Sequence, residues 1–158
     1  MALRFLMRDL VLLALGVGLW AWLAEYSAGH GVLADFSGWI VGLTLGICAY
    51  LAHEWSHYLG ALAMGAKLTV GTDLSSAFLF SFAAEENSVA QFFVMSVAGF
   101  IATALVLVFF YQGLPDEYLA SRVARGSALF LALLGLTLEL PLLLYGLATR
   151  SVPKQVSV

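Results

Sequence analysis

The stretch 36–64, FSGWIVGLTLGICAYLAHEWSHYLGALAM, decides how this chain folds. It is apolar almost throughout, and it is longer than the roughly 20 residues that an α-helix needs to cross a bilayer. Its later half nevertheless carries three ionisable side chains within five positions, which is costly at membrane depth unless they have partners. We therefore predict a membrane helix that holds a functional site in its later half.

Those three side chains form the pattern His53-Glu54-x-x-His57. A spacing of four places both histidines on one face of a helix, with Glu54 beside them. Two neutral imidazoles and a nearby carboxylate are typical of a hydrolytic zinc site, provided that a third protein ligand comes from elsewhere. The alternative interpretation is that the helix emerges at the interface and the three side chains face lipid headgroups.

The composition points to a membrane protein independently of the motif. Hydrophobic residues make up 62% of the chain and charged residues 11%, with a mean hydropathy of +0.96, whereas an ordinary soluble domain has roughly 25% charged residues. The length predicts a single integral membrane domain, 1–158. The net charge of −3 offers no basic surface for nucleic acid. Cys48 is the only cysteine, which excludes an internal disulfide and a cysteine-based zinc cluster.

Four apolar segments predict an all-α membrane protein with four transmembrane helices. The predicted spans are 10–26, 37–64, 89–111 and 128–147. Between the second and third, residues 68–84 contain a turn signal and several aromatic residues, which indicates a short β-hairpin or a re-entrant segment. Residues 112–125 form the most polar stretch and are predicted to be a loop.

The distribution of Lys and Arg predicts the orientation of these spans. Five basic residues fall on one side: Arg4, Arg8, Lys67, Arg150 and Lys154. That side, with both termini, is predicted to be cytoplasmic, although Arg122 and Arg125 fall on the opposite side. Trp20, Trp22 and Trp39 lie near the predicted membrane edges, where tryptophan commonly anchors a helix.

The sequence HEWSHYLGALAMG from His53 to Gly65 resembles the intramembrane zinc metalloproteases of the site-2 protease family. That family typically reads HExGH, followed by alanine four residues later and by glycine four beyond it, and Ala61 and Gly65 stand at those positions. The family also has Ala-Gly-Pro-x-x-Asn on a following helix. Residues 98–103 are similar to that motif, with Phe100 in place of the proline and Thr103 in place of the asparagine.

The third metal ligand is where this chain departs from the family, which takes it from an Asp-Gly pair on a later helix. Here Tyr145 precedes the corresponding glycine. Glu139 is a carboxylate well inside the fourth apolar segment, and we predict it as the third ligand because metal binding would remove the cost of its charge. Alternatives are a protonated Glu139 hydrogen-bonded inside the bundle, Asp73 as the ligand, or no third ligand. His30, between two glycines, is predicted to be an ordinary exposed histidine.

The resemblance implies a zinc-dependent peptidase that cleaves membrane-spanning proteins, with Zn²⁺ held by His53, His57 and Glu139 and with Glu54 as the catalytic base. It also implies that the 68–84 hairpin holds an unwound substrate strand by edge pairing. The competing hypothesis is a catalytically inactive, metal-binding relative that serves as a structural subunit of a larger membrane complex. Under either hypothesis the chain lies in the lipid bilayer. Its expected partners are membrane protein substrates in the first case and partner subunits in the second, and not nucleic acid.

Overall fold

A computed structural model describes residues 2–154 as four helices and one small antiparallel sheet. The helices are α1 (Ala2–Leu23), α2 (Val32–Ala63), α3 (Val89–Gly113) and α4 (Leu119–Thr149). The strands are β1 (Leu68–Val70) and β2 (Phe80–Phe82), and a short 3₁₀ turn, Glu25–Ala28, joins α1 to α2. The predicted helical fold with a hairpin after the second long helix is confirmed.

Three of these helices, α2, α3 and α4, are long and apolar enough to cross a membrane. The helix α1 is not among them, and its first turns carry Arg4, Arg8 and Asp9, so three of the four predicted spans are supported. Large apolar side chains lie on the outside of the bundle, such as Leu105 at 64% exposure. A monomeric soluble protein rarely exposes so continuous an apolar surface.

The predicted loop 112–125 is present but shorter than expected: it covers 114–118, because α3 extends to Gly113 and α4 begins at Leu119. The guanidinium group of Arg125 explains why a helix tolerates this polar start. Its Nε donates to the Phe110 carbonyl at 2.9 Å, and the group also pairs with Asp116. The charge is therefore satisfied by the end of α3 and the short connection, while Ala120 and Ala124 on the same helix are fully buried.

The helix α2 lies at the centre and contacts each of the other three helices. Glycines at every fourth position of its first half, Gly38, Gly42 and Gly46, face the α4 side chains Leu119, Val123 and Ser127 in that order. Because both series rise together, α2 and α4 run parallel, and the missing side chains allow their backbones to approach closely. A Cβ atom at Gly42 would lie 2.5 Å from the Val123 Cβ atom.

The segment between α2 and α3 forms the predicted hairpin. Strand β1 pairs with β2 in the register Leu68↔Phe82 and Val70↔Phe80. Ser88 then caps α3, since its hydroxyl accepts the Gln91 N–H while the Gln91 side chain accepts the Ser88 N–H at 2.7 Å. The strands lie beside the later half of α2, where the motif histidines are.

Candidate metal site

Three ionisable side chains from two helices converge in the bundle: His53 and His57 of α2, and Glu139 of α4. One ligand atom from each lies within 4.8 Å of the others. The two histidine Nε2 atoms are 2.9 Å apart. Glu139 places Oε1 at 3.2 Å from Nε2 of His53 and Oε2 at 3.3 Å from Nε2 of His57. The structure thus brings together the three residues that the sequence predicts as metal ligands.

The helix α3 holds both imidazole rings by their other nitrogen. His57 Nδ1 lies 2.8 Å from the Met95 carbonyl oxygen. His53 Nδ1 lies 3.2 Å from the Gly99 carbonyl and 2.9 Å from the Thr103 hydroxyl. A carbonyl can only accept, so these contacts assign the proton of each neutral ring to Nδ1 and leave the Nε2 lone pair pointing at the centre. Metal-binding histidines are commonly oriented in this way.

Gly99 of α3 is required by the position of the His57 ring. A Cβ atom at residue 99 would overlap the imidazole ring. The glycine therefore allows α3 to approach closely enough for its carbonyls to reach both histidines. Thr103, one turn further along, forms a hydrogen bond with His53. The sequence did not predict this contact, because Thr103 stood out only as the residue in place of the family's asparagine.

A wide, π-helical turn of α4, Gly135–Glu139, presents Glu139. The Leu140 N–H donates to the Gly135 carbonyl, five residues back, and Pro141 follows directly with no N–H to give. Such turns insert an extra residue into a helix and are frequent at functional sites. Tyr145, six residues on, is 55% exposed and points elsewhere, as the spacing of the two residues predicts.

The donor set fits a zinc ion. Two imidazole lone pairs and a carboxylate face one another, and buried Oε2 of Glu139 accepts no hydrogen bond among the described residues. Such groups repel unless a cation or proton lies between them. Ligands about 2.0 to 2.1 Å from a tetrahedral zinc ion would be roughly 3.3 Å apart, close to the nitrogen–oxygen distances of 3.2 and 3.3 Å, while the two Nε2 atoms are nearer to each other at 2.9 Å. Two histidines and a glutamate form an established catalytic zinc set.

Glu54, the predicted base, lines a cavity of about 230 Å³ together with His57 and Glu139. Its Oε2 accepts the Leu79 N–H at 3.4 Å, a long hydrogen bond from the hairpin. The rest of the lining is mostly apolar and comes from the hairpin, α3 and α4: Phe78, Phe80, Phe82, Phe92, Met95, Ser96 and Leu142. The carboxylate thus lies at the boundary between the three converging side chains and an apolar cavity.

The loop before β2 is tied down from two helices. Arg8 of α1 donates to the carbonyls of Leu74 at 2.8 Å and Ser76 at 2.9 Å. The Tyr50 hydroxyl of α2 donates to the Ala77 carbonyl at 2.9 Å. Sequence reasoning had missed this tether, although the adjacent charges of Arg8 and Asp9 at the start of an apolar segment were a visible signal.

Asp9 links α1 to the motif itself. Its side chain is only 2% exposed. One carboxylate oxygen pairs with Arg8 Nε at 2.6 Å, and the other accepts the indole N–H of Trp55 at 2.8 Å. Trp55 lies between Glu54 and His57 in sequence, so this pair fixes the roll of the motif helix from the side opposite α3.

Two further residues considered from the sequence, the reserve ligand candidate Asp73 and the exposed histidine His30, are not part of the converging group. Asp73 is exposed in the hairpin loop, where the Ser75 N–H and hydroxyl each donate to it at 2.8 Å. These hydrogen bonds hold the pKa of the Asp73 carboxyl below its ordinary value, as expected for a turn aspartate. His30 is exposed between the 3₁₀ turn and α2.

Comparison of this chain with protein-family models found no match, and comparisons with curated proteins and with solved structures found none either. The likeness to site-2 proteases therefore depends on the residues described above.

Proposed function

We propose that this chain is an intramembrane zinc metallopeptidase that hydrolyses peptide bonds of membrane-spanning proteins. The observation that carries the proposal is the convergence of His53, His57 and Glu139 next to Glu54, at the edge of an apolar cavity. Site-2 protease likeness in the motif and at Ala98-Gly99 supports the same reading.

The proposed location is the bilayer, with several spans. Three helices have the length and hydropathy for it, and two of them, α2 and α4, supply the three converging side chains. The start of α1 and the end of α2 lie at the same end of the bundle, as the contact of Arg8 with the hairpin loop requires. With Lys67 and Arg150 at that end too, we propose that it faces the cytoplasm, with both termini.

Each polar group of the site has a role in peptide hydrolysis. His53, His57 and Glu139 would hold the zinc ion, with α3 fixing the ring orientations. A zinc ion held there would supply a Lewis acid that polarises the substrate carbonyl and acidifies a water molecule. Glu54 would take the proton from the attacking water and pass it to the leaving amine as the carbon–nitrogen bond breaks. Opening of the long Leu79 contact would free Glu54 for this step.

The lining of the cavity indicates an apolar substrate. Phe80 and Phe82 of β2 and Phe92 of α3 face the same space as Glu54. A membrane helix satisfies its own backbone hydrogen bonds, so a substrate helix must unwind locally before its carbonyl is reachable. We propose that β2 pairs with the unwound strand while these aromatic rings take its side chains.

The test is the zinc content of the detergent-purified protein, measured by elemental mass spectrometry. We expect about one zinc per chain in the wild type, since the three ligands come from one chain. His57→Ala and Glu139→Ala should each lose it. Glu54→Gln should keep the zinc and lose cleavage of a membrane-spanning test substrate.

The chain supplies a matched control for the histidine substitution. His30 is exposed and lies away from the site, so His30→Ala should retain zinc. Wild-type protein that contains no metal after purification without chelators would contradict the proposal. Zinc that persists in Glu139→Ala would contradict the ligand set.

A second function is favoured by the hydrogen bond between Glu54 and Leu79, which engages the base with the hairpin. In that case the chain would be an inactive metal-binding relative and a structural subunit of a larger membrane complex. Phe100 and Thr103 in place of the family's proline and asparagine support it. Two results together would support this alternative: the protein binds zinc but shows no cleavage that depends on Glu54, and it co-purifies with other membrane proteins at fixed stoichiometry.

A further inference from the structure

A second and larger cavity lies on the opposite half of the bundle, between α2 and α4. Its volume is about 750 Å³, and it opens along the outer face of the two helices as a groove. Its lining is largely apolar and includes Leu43 and Ile47 of α2 and Phe130 and Leu134 of α4. None of the predicted metal or catalytic residues lines it.

One end of the groove carries a cation. Arg122 lies in the first turn of α4 and lines the groove together with Trp39. Within residues 2–154 Arg122 forms no ion pair, whereas its neighbour Arg125 pairs with Asp116. The two arginines that violate the expected charge asymmetry thus differ: one is neutralised by the protein and the other is exposed at the mouth of an apolar groove.

We infer that this groove binds one phospholipid with an anionic headgroup, whose phosphate meets Arg122 and whose acyl chain lies along α2 and α4. The inference rests on the proposed membrane location but not on the peptidase chemistry. A cation at one end and apolar lining beyond it match the polarity of a lipid. The twelve helical steps from Arg122 to Leu134 rise about 18 Å, close to the length of an extended acyl chain.

The positive charge of Arg122 favours one class of lipid headgroup, the anionic class. A zwitterionic headgroup brings its own cation near Arg122, whereas an anionic one adds only negative charge. We expect about a fivefold preference for anionic lipid, the factor typical of one basic residue near a membrane surface. The interfacial ring of Trp39 beside it is consistent with headgroup depth.

Native mass spectrometry of the detergent-purified protein tests the inference, with added phosphatidylglycerol and phosphatidylcholine of identical acyl chains. Wild type should retain the phosphatidylglycerol about fivefold more. Arg122→Gln should bind the two equally, and Arg122→Lys should restore the preference. Arg4→Gln removes an exposed arginine elsewhere and should leave it unchanged.

Gly126 gives a second variant that acts on the acyl chain. It lines the groove, and a Cβ atom there would meet nothing within 4 Å, so Gly126→Leu fills the groove without disturbing the helix contacts. Retention of both lipids should fall. Zinc content should stay at the wild-type level in all these variants, which separates a failure here from a failure of the peptidase proposal.

Three results would overturn the inference. Equal retention of the two lipids by wild type would remove the headgroup specificity. An unchanged preference in Arg122→Gln would place the anion elsewhere. A wild-type dimer in detergent that Gly126→Leu converts to monomer would assign the groove to a second copy of the chain.

Discussion

Both halves of α2 approach a neighbouring helix closely at a glycine, but the contact has a different role in each half. In the first half the glycines belong to α2, and the side chains of α4 fill the space above Gly38, Gly42 and Gly46. In the second half Gly60 of α2 packs on Ala98, but at the motif the glycine belongs to the partner, and the ring of His57 occupies the space above Gly99 of α3. One arrangement brings backbones together, and the other brings a polar ring against a backbone.

This difference indicates that the first half of α2 mainly stabilises the fold, whereas the second half carries the candidate chemistry. The first half buries apolar and small groups with no ionisable side chain in the contact, so its defects should appear as unfolding. The second half places two histidines against carbonyl oxygens of α3 and beside Glu139, so its defects should appear first as lost metal. The following substitutions are designed to separate the two, in order of decreasing effect.

The largest effect is expected for Gly99→Ala. Its methyl group would overlap the His57 imidazole ring, so the ring must leave its position and one of the three ligands is lost. Zinc affinity, measured by competition with a chelator, should fall by roughly a hundredfold or more, beyond the usual effect of outer residues. Gly18→Ala adds a methyl group in open space on α1 and should bind zinc normally. Wild-type affinity in Gly99→Ala would show that the ring position does not matter.

The next effect is expected for Gly42→Leu, in the packing half. The new side chain would collide with Val123 and with the Ala120 carbonyl, forcing α4 away from α2. Overpacking of this kind costs about 1–3 kcal/mol, which should appear as a lower unfolding midpoint in detergent by circular dichroism. Gly18→Leu should change the midpoint little. If Gly42→Leu lost zinc while keeping its midpoint, the proposed division between the halves would be wrong.

The sequence predicted the second half of α2 better than the first. His53, Glu54 and His57 are fixed by a spacing of four on a helix, and Glu139 stands out as a charge inside an apolar segment. Both signals are local, and the structure brings the three ligand candidates together. Whether they bind zinc stays a prediction.

What the sequence did not predict depends on contacts between distant segments. The early start of α4 requires that Arg125 find its acceptors at Phe110 and Asp116, so the polar stretch looked like a loop. The hydrogen bond from His53 Nδ1 to the Thr103 hydroxyl depends on the register of α3 against α2. Neither contact has a short-range pattern that a single sequence displays.

A smaller effect on zinc is expected for Thr103→Val. The substitution removes the hydroxyl at 2.9 Å from His53 Nδ1 while keeping the shape of the side chain. The Gly99 carbonyl at 3.2 Å can still accept from this nitrogen, so we expect about a tenfold loss of affinity, the low end for residues that orient a ligand. Thr103→Ser keeps the hydroxyl and should recover most of the loss. Equal affinity in the valine and serine variants would contradict the orienting role.

The smallest effect is expected for Arg8→Gln. This variant tests whether the hairpin loop can loosen without affecting the metal ligands on the second half of α2. Arg8 holds the loop through the carbonyls of Leu74 and Ser76, and Tyr50 would still hold Ala77. Losing part of the tether should raise local opening of the loop, and limited proteolysis there should become about fivefold faster, as expected for roughly 1 kcal/mol. Zinc content should not change, because the three ligand candidates lie on α2 and α4. The control variant Arg4→Gln, with its substitution on the same helix, should be cut by the added protease at the wild-type rate. Loss of zinc in Arg8→Gln would show that α1 supports the ligands through Asp9 and Trp55 and not only the loop.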